Sequence, residues 1–217
     1  MTNYFICGIG TEVGKTYVTC LLSEFFYNKC KFNSIKPIVS GWNDKENNDL
    51  KLILNSMKLQ YNTTNINKIN LLRYKEPLSP HMIDKNIDID QVLSFCNENI
   101  INNDLLFIEG AGGIMTPISY KYTMLDIMKE LDIEVILVSN NYLGSINHTL
   151  LTVETLEKFN IKIHSIILNH YYNNDIPIHL LQETFNKMIN YKVTNLYKNK
   201  NLSNNYFNFI YKTNICL

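Results

Sequence analysis

Gly14, Lys15 and Thr16 follow one another near the start of the sequence, with Gly8 and Gly10 a few positions ahead of them in FICGIGTEVGKTY, residues 5–17. These residue types suit phosphate chemistry. Glycines let the backbone curl until several N–H groups face inward, and the start of a following helix adds partial positive charge. A lysine in that place reaches the β- and γ-phosphates, and the threonine hydroxyl takes a magnesium position. The spacing is off by one from the common G-x-x-x-x-G-K-[ST] pattern: five residues separate Gly8 from Gly14, and Ile9 stands where the first glycine would be. The plainer alternative is a glycine-rich turn that only opens a helix. An apolar run before the stretch and a helical pattern after it favour the nucleotide site.

Glu109 is a second chemical candidate. It follows the apolar run LLFI and precedes Gly110, Ala111, Gly112 and Gly113. A buried parallel strand there delivers a carboxylate to the phosphate end of a sheet, beside a loop of glycines that permits close approach; the plain alternative is a strand-end glutamate facing water. The histidines, His81, His148, His164, His170 and His179, show no metal-ligand spacing with each other or with cysteine, so zinc is not expected. No motif supports Ser-His-Asp catalysis.

The elements that must position these groups alternate in type. Residues 3–7, 34–40, 104–109, 133–139 and 162–169 read as strands, with Pro37 tolerable at an edge or a strand end. Helical spacing fills 14–29, where Val18, Leu21, Leu22, Phe25 and Phe26 share one side, and returns at 87–100, 123–131, 145–159 and 177–189. A further helix starts near Asp49, and Asp88 or Asp90 is well placed as an N-cap. This alternation predicts an α/β fold, a mostly parallel sheet flanked by helices on both faces, with ligands beyond the carboxyl ends of the strands. The tyrosine- and asparagine-rich tail carries no assignment. Without an internal repeat or a linker, residues 1–217 are expected to form one domain.

Size and charge narrow the classes. The 217 residues are 46% hydrophobic, enough for a substantial core. Twenty basic and twenty acidic side chains cancel, so no net charge draws the chain to nucleic acid or to a membrane surface. No apolar run approaches the ~20 residues of a membrane span. Cys7, Cys20, Cys30, Cys96 and Cys216 are odd in number and form no CxxC pair, which fits reduced thiols in a cytoplasmic protein.

The loop form Gly-x-x-Thr-Glu-Val-Gly-Lys-Thr resembles that of the dethiobiotin synthetases, a family of the P-loop NTPase superfamily. The resemblance continues through KPIVSG (36–41), NND (47–49), EPLSPH (76–81), EGAGG (109–113), LGSINHTLLT (143–152) and ILN (167–169), in the family's order. Two departures stand out. The family usually carries Thr-Asp where this chain has Ile9-Gly10, and its late PLLG-x-[IL]-P element, which helps wall the base pocket, is not recognisable here.

The resemblance implies a homodimeric, ATP-dependent cyclo-ligase with Mg2+, acting on 7,8-diaminopelargonate and CO2. It implies catalytic roles for Lys15, Lys36 and Thr11. Glu12, Val13, Gly14, Lys15, Thr16, Tyr17 and Asn169 would bind nucleotide, with Asn169 at the adenine. Thr11, Lys36, Ser40, Gly112 and Asn147 would bind substrate, Asn147 from the neighbouring subunit, and Thr16, Asp49 and Glu109 would hold the metal. Each has a plainer alternative. Lys36 could be a solvated strand-end lysine, Ser40 part of a turn before Gly41, and Asp49 a helix cap. Ser145 could cap its helix with Asn147 incidental, and Asn169 could be a turn residue.

The main rival from another class is a regulatory ATPase switch of the partition or cell-division kind. Those proteins usually carry an additional lysine early in the loop, absent at Ile9 and Gly10, and have no reason for KPIVSG. A small-molecule kinase would need a base beside a hydroxyl, and no such signature emerges.

Overall fold

Tyr4 and Ile6 join one apolar cluster, Phe5 and Cys7 another, and all four are buried. A strand covered on both faces belongs in the middle of a helix-flanked parallel sheet. The computed structural model, which describes residues 2–44, 48–170 and 175–197, places it there. β1 (Thr2–Gly8) lies between β5 (Leu105–Glu109) and β6 (Glu134–Asn140). β2 (Phe32–Ile35) flanks β5, while β7 (Ile163–Asn169) and β8 (Val193–Leu196) extend the sheet beyond β6. All the pairings of this six-stranded sheet are parallel, as the alternation of strand and helix predicts.

Helices cover both faces. α1 (Lys15–Phe26) sets Val18, Leu22 and Phe26 in the cluster of Tyr4 and Ile6. The other cluster takes residues from α2 (Asp49–Ser56), α5 (Ile89–Asn102), α6 (Met124–Leu131), α7 (Ser145–Lys158) and α8 (Ile178–Met188). α3 (Thr63–Ile69) and α4 (Pro80–Ile83) lie in the long connection from β2 to β5. No described helix is long and apolar enough to cross a membrane.

The structure corrects the sequence reading at one strand. Residues 34–40 are not continuous: β2 ends at Ile35, and β3 (Ile38–Val39) leaves the main sheet to pair with β4 (Leu72–Arg73). Pro37 between them has no N–H to continue a ladder. Its carbonyl instead accepts from the amides of Leu71 and Leu72 at 3.1 and 2.9 Å. β4, β8, α3 and α4 were not anticipated. Asn47 and the tail beyond residue 197, Cys216 included, lie outside the described residues.

Because the strands are parallel, Gly8, Ile35, Glu109, Asn140, Asn169 and Leu196 end along one edge of the sheet. The chain leaves β1 first toward β2 and later toward β6, so the order reverses at β1. Such a reversal opens a crevice at the carboxyl end of the strand where it occurs.

Candidate active site

The loop after β1 occupies that crevice. Gly8 has no room for a side chain, since a Cβ there would stand 2.7 Å from Val13 Cγ2. Gly14 takes the left-handed conformation (φ 97°) that frees the first amides of α1, which begins at Lys15. Glu12 is left-handed too (φ 58°), a conformation that costs a non-glycine residue on the order of 1 kcal/mol and marks a shaped loop. Thr11 and Glu12 are exposed, Val13 is buried and Tyr17 lies half-buried on the first turn of α1. The Val13 carbonyl accepts from Asn169 Nδ2 at 2.9 Å, so the end of β7 anchors the loop. Lys15, only 6% exposed, folds back and donates to the Gly10 carbonyl at 2.8 Å.

The register of the sheet brings the remaining charges in. Ile35 pairs with Ile108, so the next residues along, Lys36 and Glu109, meet. Lys36 Nζ is 2.7 Å from Glu109 Oε1, forms an ion pair with Asp49 Oδ2 and lies 3.4 Å from Thr16 Oγ1. Thr16 Oγ1 donates to Glu109 Oε1 at 2.6 Å. Asp49 is free for this because it does not cap α2. Asn48 does, accepting from the Lys51 amide at 3.0 Å. Lys36 is likewise no solvated strand-end lysine, being 6% exposed, and Glu109 is fully buried.

Charge follows partners here. Burial, reinforced by the nearby Lys36 charge, pushes the Lys15 ammonium down to about 8 against the pull of Glu109. Burial pulls Lys36 the same way, but Glu109 and Asp49 outweigh it and hold that ammonium above the ordinary lysine value. Burial would raise Asp49, and Lys36 holds its carboxyl below the usual range. Beneath the loop, burial drives the Cys7 thiol up to about 12, which keeps it an inert packing residue.

Two residues of this centre escaped the sequence reading. Thr19, fully buried, lies 2.8 Å from Glu109 Oε2 and 3.0 Å from the Lys15 carbonyl; the charged acceptor is the stronger partner for its single proton. Its spacing of three from Thr16 puts both hydroxyls on one side of α1, a signal that was available. Asn70 donates to the Lys36 and Pro37 carbonyls at 2.8 and 3.2 Å and fixes the strand end; no local pattern marks it.

The other predicted residues lie around this centre. The Ser40 hydroxyl is buried with no hydrogen-bond partner among the described residues, while the turn is made by Gly41 (φ 74°), whose amide donates to the Glu76 carbonyl at 2.9 Å. Turn formation therefore does not use the Ser40 side chain. Gly112 is left-handed (φ 63°), and a Cβ there would meet Thr116 Oγ1 at 2.2 Å. At the next residue, Gly113, a Cβ would stand 3.4 Å from Gly10 Cα, so this loop lies against the phosphate loop. Asn147 is exposed on the first turn of α7, whose cap is Gly144, not Ser145. A groove of about 380 Å³ runs from Ile9 past Gly113, Ile114 and Met115 to His148 and Leu151 on α7.

Thr16, Asp49 and Glu109 present hard oxygens around one point, as a small divalent cation with few protein ligands requires. Among the described residues no group of three or more His, Cys, Asp or Glu could hold a metal by itself.

The sequence matches the family described as an AAA domain over residues 2–199. It is 38% identical, over 86% of either chain, to the ATP-dependent dethiobiotin synthetase of Francisella tularensis subsp. holarctica (strain LVS). Identity to the enzyme of the same name from Legionella pneumophila (strain Paris) is 42%, over 78% of this chain and 80% of that one. The chain belongs to the dethiobiotin synthetase family. As a dethiobiotin synthetase it is an ATP-dependent ligase with a P-loop nucleotide site. Solved structures share the architecture more distantly. A plasmid partition protein from Borrelia burgdorferi has a TM-score of 0.58 at 17% identity, covering 97% of this chain and 96% of that one. A ParA family ATPase from Chlorobium tepidum TLS has 0.55 at 13%, covering 97% and 89%. At such identities the likeness is one of fold.

Proposed function

We propose that the chain closes a cyclic urea on 7,8-diaminopelargonate with CO2 and ATP, giving dethiobiotin, ADP and phosphate. One amine of the diamine adds to CO2, loses a proton and becomes a carbamate. A carbamate oxygen attacks the γ-phosphorus of ATP and displaces ADP. The second amine then attacks the carbonyl carbon of the resulting carbamic–phosphoric anhydride, and phosphate leaves. The observation that carries this reading is two buried lysines beside the phosphate loop: Lys15 at the start of α1, on the Gly10 carbonyl, and Lys36 just after β2, on the oxygens of Thr16, Asp49 and Glu109.

In this reading Lys15 leaves the Gly10 carbonyl for the γ-phosphate and the attacking carbamate oxygen, and Lys36 supplies a second positive charge to the transferring group. The amides of Val13, Gly14, Lys15, Thr16 and Tyr17 hold the phosphates at the start of α1. Thr16, Asp49 and Glu109 would hold Mg2+, which when bound would neutralise part of the phosphate charge. Thr11 and Ser40 donate to the carbamate or diamine, Glu12 orders the loop or meets an amine, and the Gly112 backbone lets the substrate approach closely. Asn169 contacts adenine in addition to holding Val13.

The diamine's remote carboxylate needs its own donors, and the start of α7 with Asn147 offers them to a second copy of the chain. The exposure of Leu143 (87%), Leu151 (58%) and Met115 (57%) beside the groove supports a homodimer that covers this side. A single cytoplasmic domain completes the reading, in keeping with the free thiols of Cys7, Cys20, Cys30 and Cys96.

The test is incubation of purified protein with Mg2+, ATP, bicarbonate and 7,8-diaminopelargonate, following phosphate release and dethiobiotin mass together. Product that requires all four supports the reading. ATP hydrolysis indifferent to the diamine, with no dethiobiotin, overturns it.

A further inference from the structure

The three oxygens assigned above to a divalent cation already surround a positive atom of the chain itself. Lys36 Nζ touches Glu109 Oε1 at 2.7 Å, pairs with Asp49 Oδ2 and lies 3.4 Å from Thr16 Oγ1. Glu109 is fully buried and Asp49 lies half-buried beside it, so the place requires a cation: the Glu109 carboxylate would otherwise be desolvated without compensation and would repel its neighbour. One ammonium answers one of the two charges, whereas a divalent ion answers both. The same ammonium cannot remain at the focus of those oxygens once another cation takes it.

We propose that Lys36 is a placeholder for the divalent cation, and that its side chain swings off the Asp49–Glu109 pair when the cation binds, becoming available to the transferring phosphoryl group. The inference rests on the assignment of Thr16, Asp49 and Glu109 as metal ligands. The backbone of Lys36 is held at both polar atoms: its amide donates to the Ile69 carbonyl at 2.8 Å and its carbonyl accepts from Asn70 Nδ2 at 2.8 Å. The exchange is therefore a movement of the four-carbon stem alone, which rotates freely compared with a planar guanidinium. Lys15 does not compete for the place, since its ammonium lies on the Gly10 carbonyl. Metal loading and completion of the two-lysine clamp become one event, so the second lysine is withheld from bound ATP until the cation has arrived.

The experiment uses the full-length, nucleotide-free protein labelled with 15N-lysine, its Lys36 ammonium resonance assigned by loss in Lys36→Arg. Mg2+ is titrated with and without ADP while that resonance is followed. Bound Mn2+ is counted by electron paramagnetic resonance in the wild type, Lys36→Met and Asp49→Asn. The resonance is expected to move or vanish with the midpoint of metal binding. Lys36→Met is expected to bind Mn2+ at least about tenfold more tightly without nucleotide, having lost the competitor. Binding weakened by Asp49→Asn while the Lys36 resonance stays fixed overturns the placeholder and leaves the metal site standing. Binding indifferent to Asp49→Asn overturns the metal assignment, and the placeholder with it. If Lys36→Met does not fold, the wild-type resonance decides alone.

Discussion

The phosphate loop and the end of β2 each bury a lysine to the same 6% exposure, yet the two ammonium groups are driven in opposite directions. Lys15 touches a backbone carbonyl and falls to about 8, while Lys36 touches two carboxylates and rises. At the opposite end of the sheet His164 makes an intermediate case. Its Nδ1 lies 2.9 Å from Glu134 Oε2, but that single carboxylate is 45% exposed, with no fully buried one like Glu109 beside it, and burial still lowers the histidine. Depth alone therefore does not set charge in this protein. The loop keeps a cation short of partners and ready for anions, whereas the strand end keeps one saturated and unready.

The largest effects should separate the two lysines by stability, not by rate. Lys15→Ala and Lys36→Ala should each lower dethiobiotin formation by about a thousandfold or more, since each removes charge stabilisation of the transferring group. Denaturant melts without metal should then diverge. Lys36→Ala strands the buried Glu109 carboxylate beside Asp49 and should cost about 3 kcal/mol, while Lys15→Ala removes a poorly compensated charge and should be neutral or slightly stabilising. Equal melts would break the comparison. Thr19→Val takes a donor from Glu109 Oε2 and should cost roughly 2 kcal/mol in the same melts, the scale of a hydrogen bond to a charged group.

Ser40→Ala tests whether the unused hydroxyl belongs to a ligand. The diamine KM should rise about tenfold, the scale of one lost hydrogen bond, with no change in the melt. A destabilised protein with unchanged KM would make Ser40 structural. The smallest effect is the His164 pH dependence. Its folded pKa lies below the unfolded value, so the native state binds fewer protons than the unfolded state, and stability falls as pH drops from about 7.5 through 6.5. His164→Gln should reduce that slope by a small amount, on the order of a degree or two in Tm between about pH 7.5 and 6. An unchanged slope would show that Glu134 compensates His164 as fully as two carboxylates compensate Lys36.

The central strands β1, β5, β6 and β7 were legible because they are buried on both faces and read as apolar runs, and Gly14-Lys15-Thr16 was legible because a loop that wraps phosphate has few sequence solutions; the half-exposed β8 gave no such run. Glu109 was legible from its place after LLFI. Asp49 was not, apart from the family resemblance, because its sequence neighbourhood suits a helix cap equally well; only the structure gives the cap to Asn48. The Pro37 break was half visible: the sequence allows Pro37 at an edge or a strand end, but does not show that Ile38 and Val39 join another sheet. Thr19 could have been found from its spacing to Thr16 on α1, but not its partner 90 positions away, and Asn70, which acts 34 positions back, carries no local pattern.

One of those long reaches has a bearing on how the protein is made. β1 is synthesised well before its neighbours β5 and β6, which begin at Leu105 and Glu134, and the amide that holds Val13 belongs to Asn169, 156 positions later. At a synthesis rate of about ten residues per second, β1 waits roughly ten seconds for a first strand partner, with α1 able to cover Tyr4 and Ile6 but the face of Phe5 and Cys7 bare. The loop waits longer for its anchor. A chain still on the ribosome can thus carry every glycine of the phosphate motif without its mature shape, and nucleotide becomes a ligand only after Asn169 has been made.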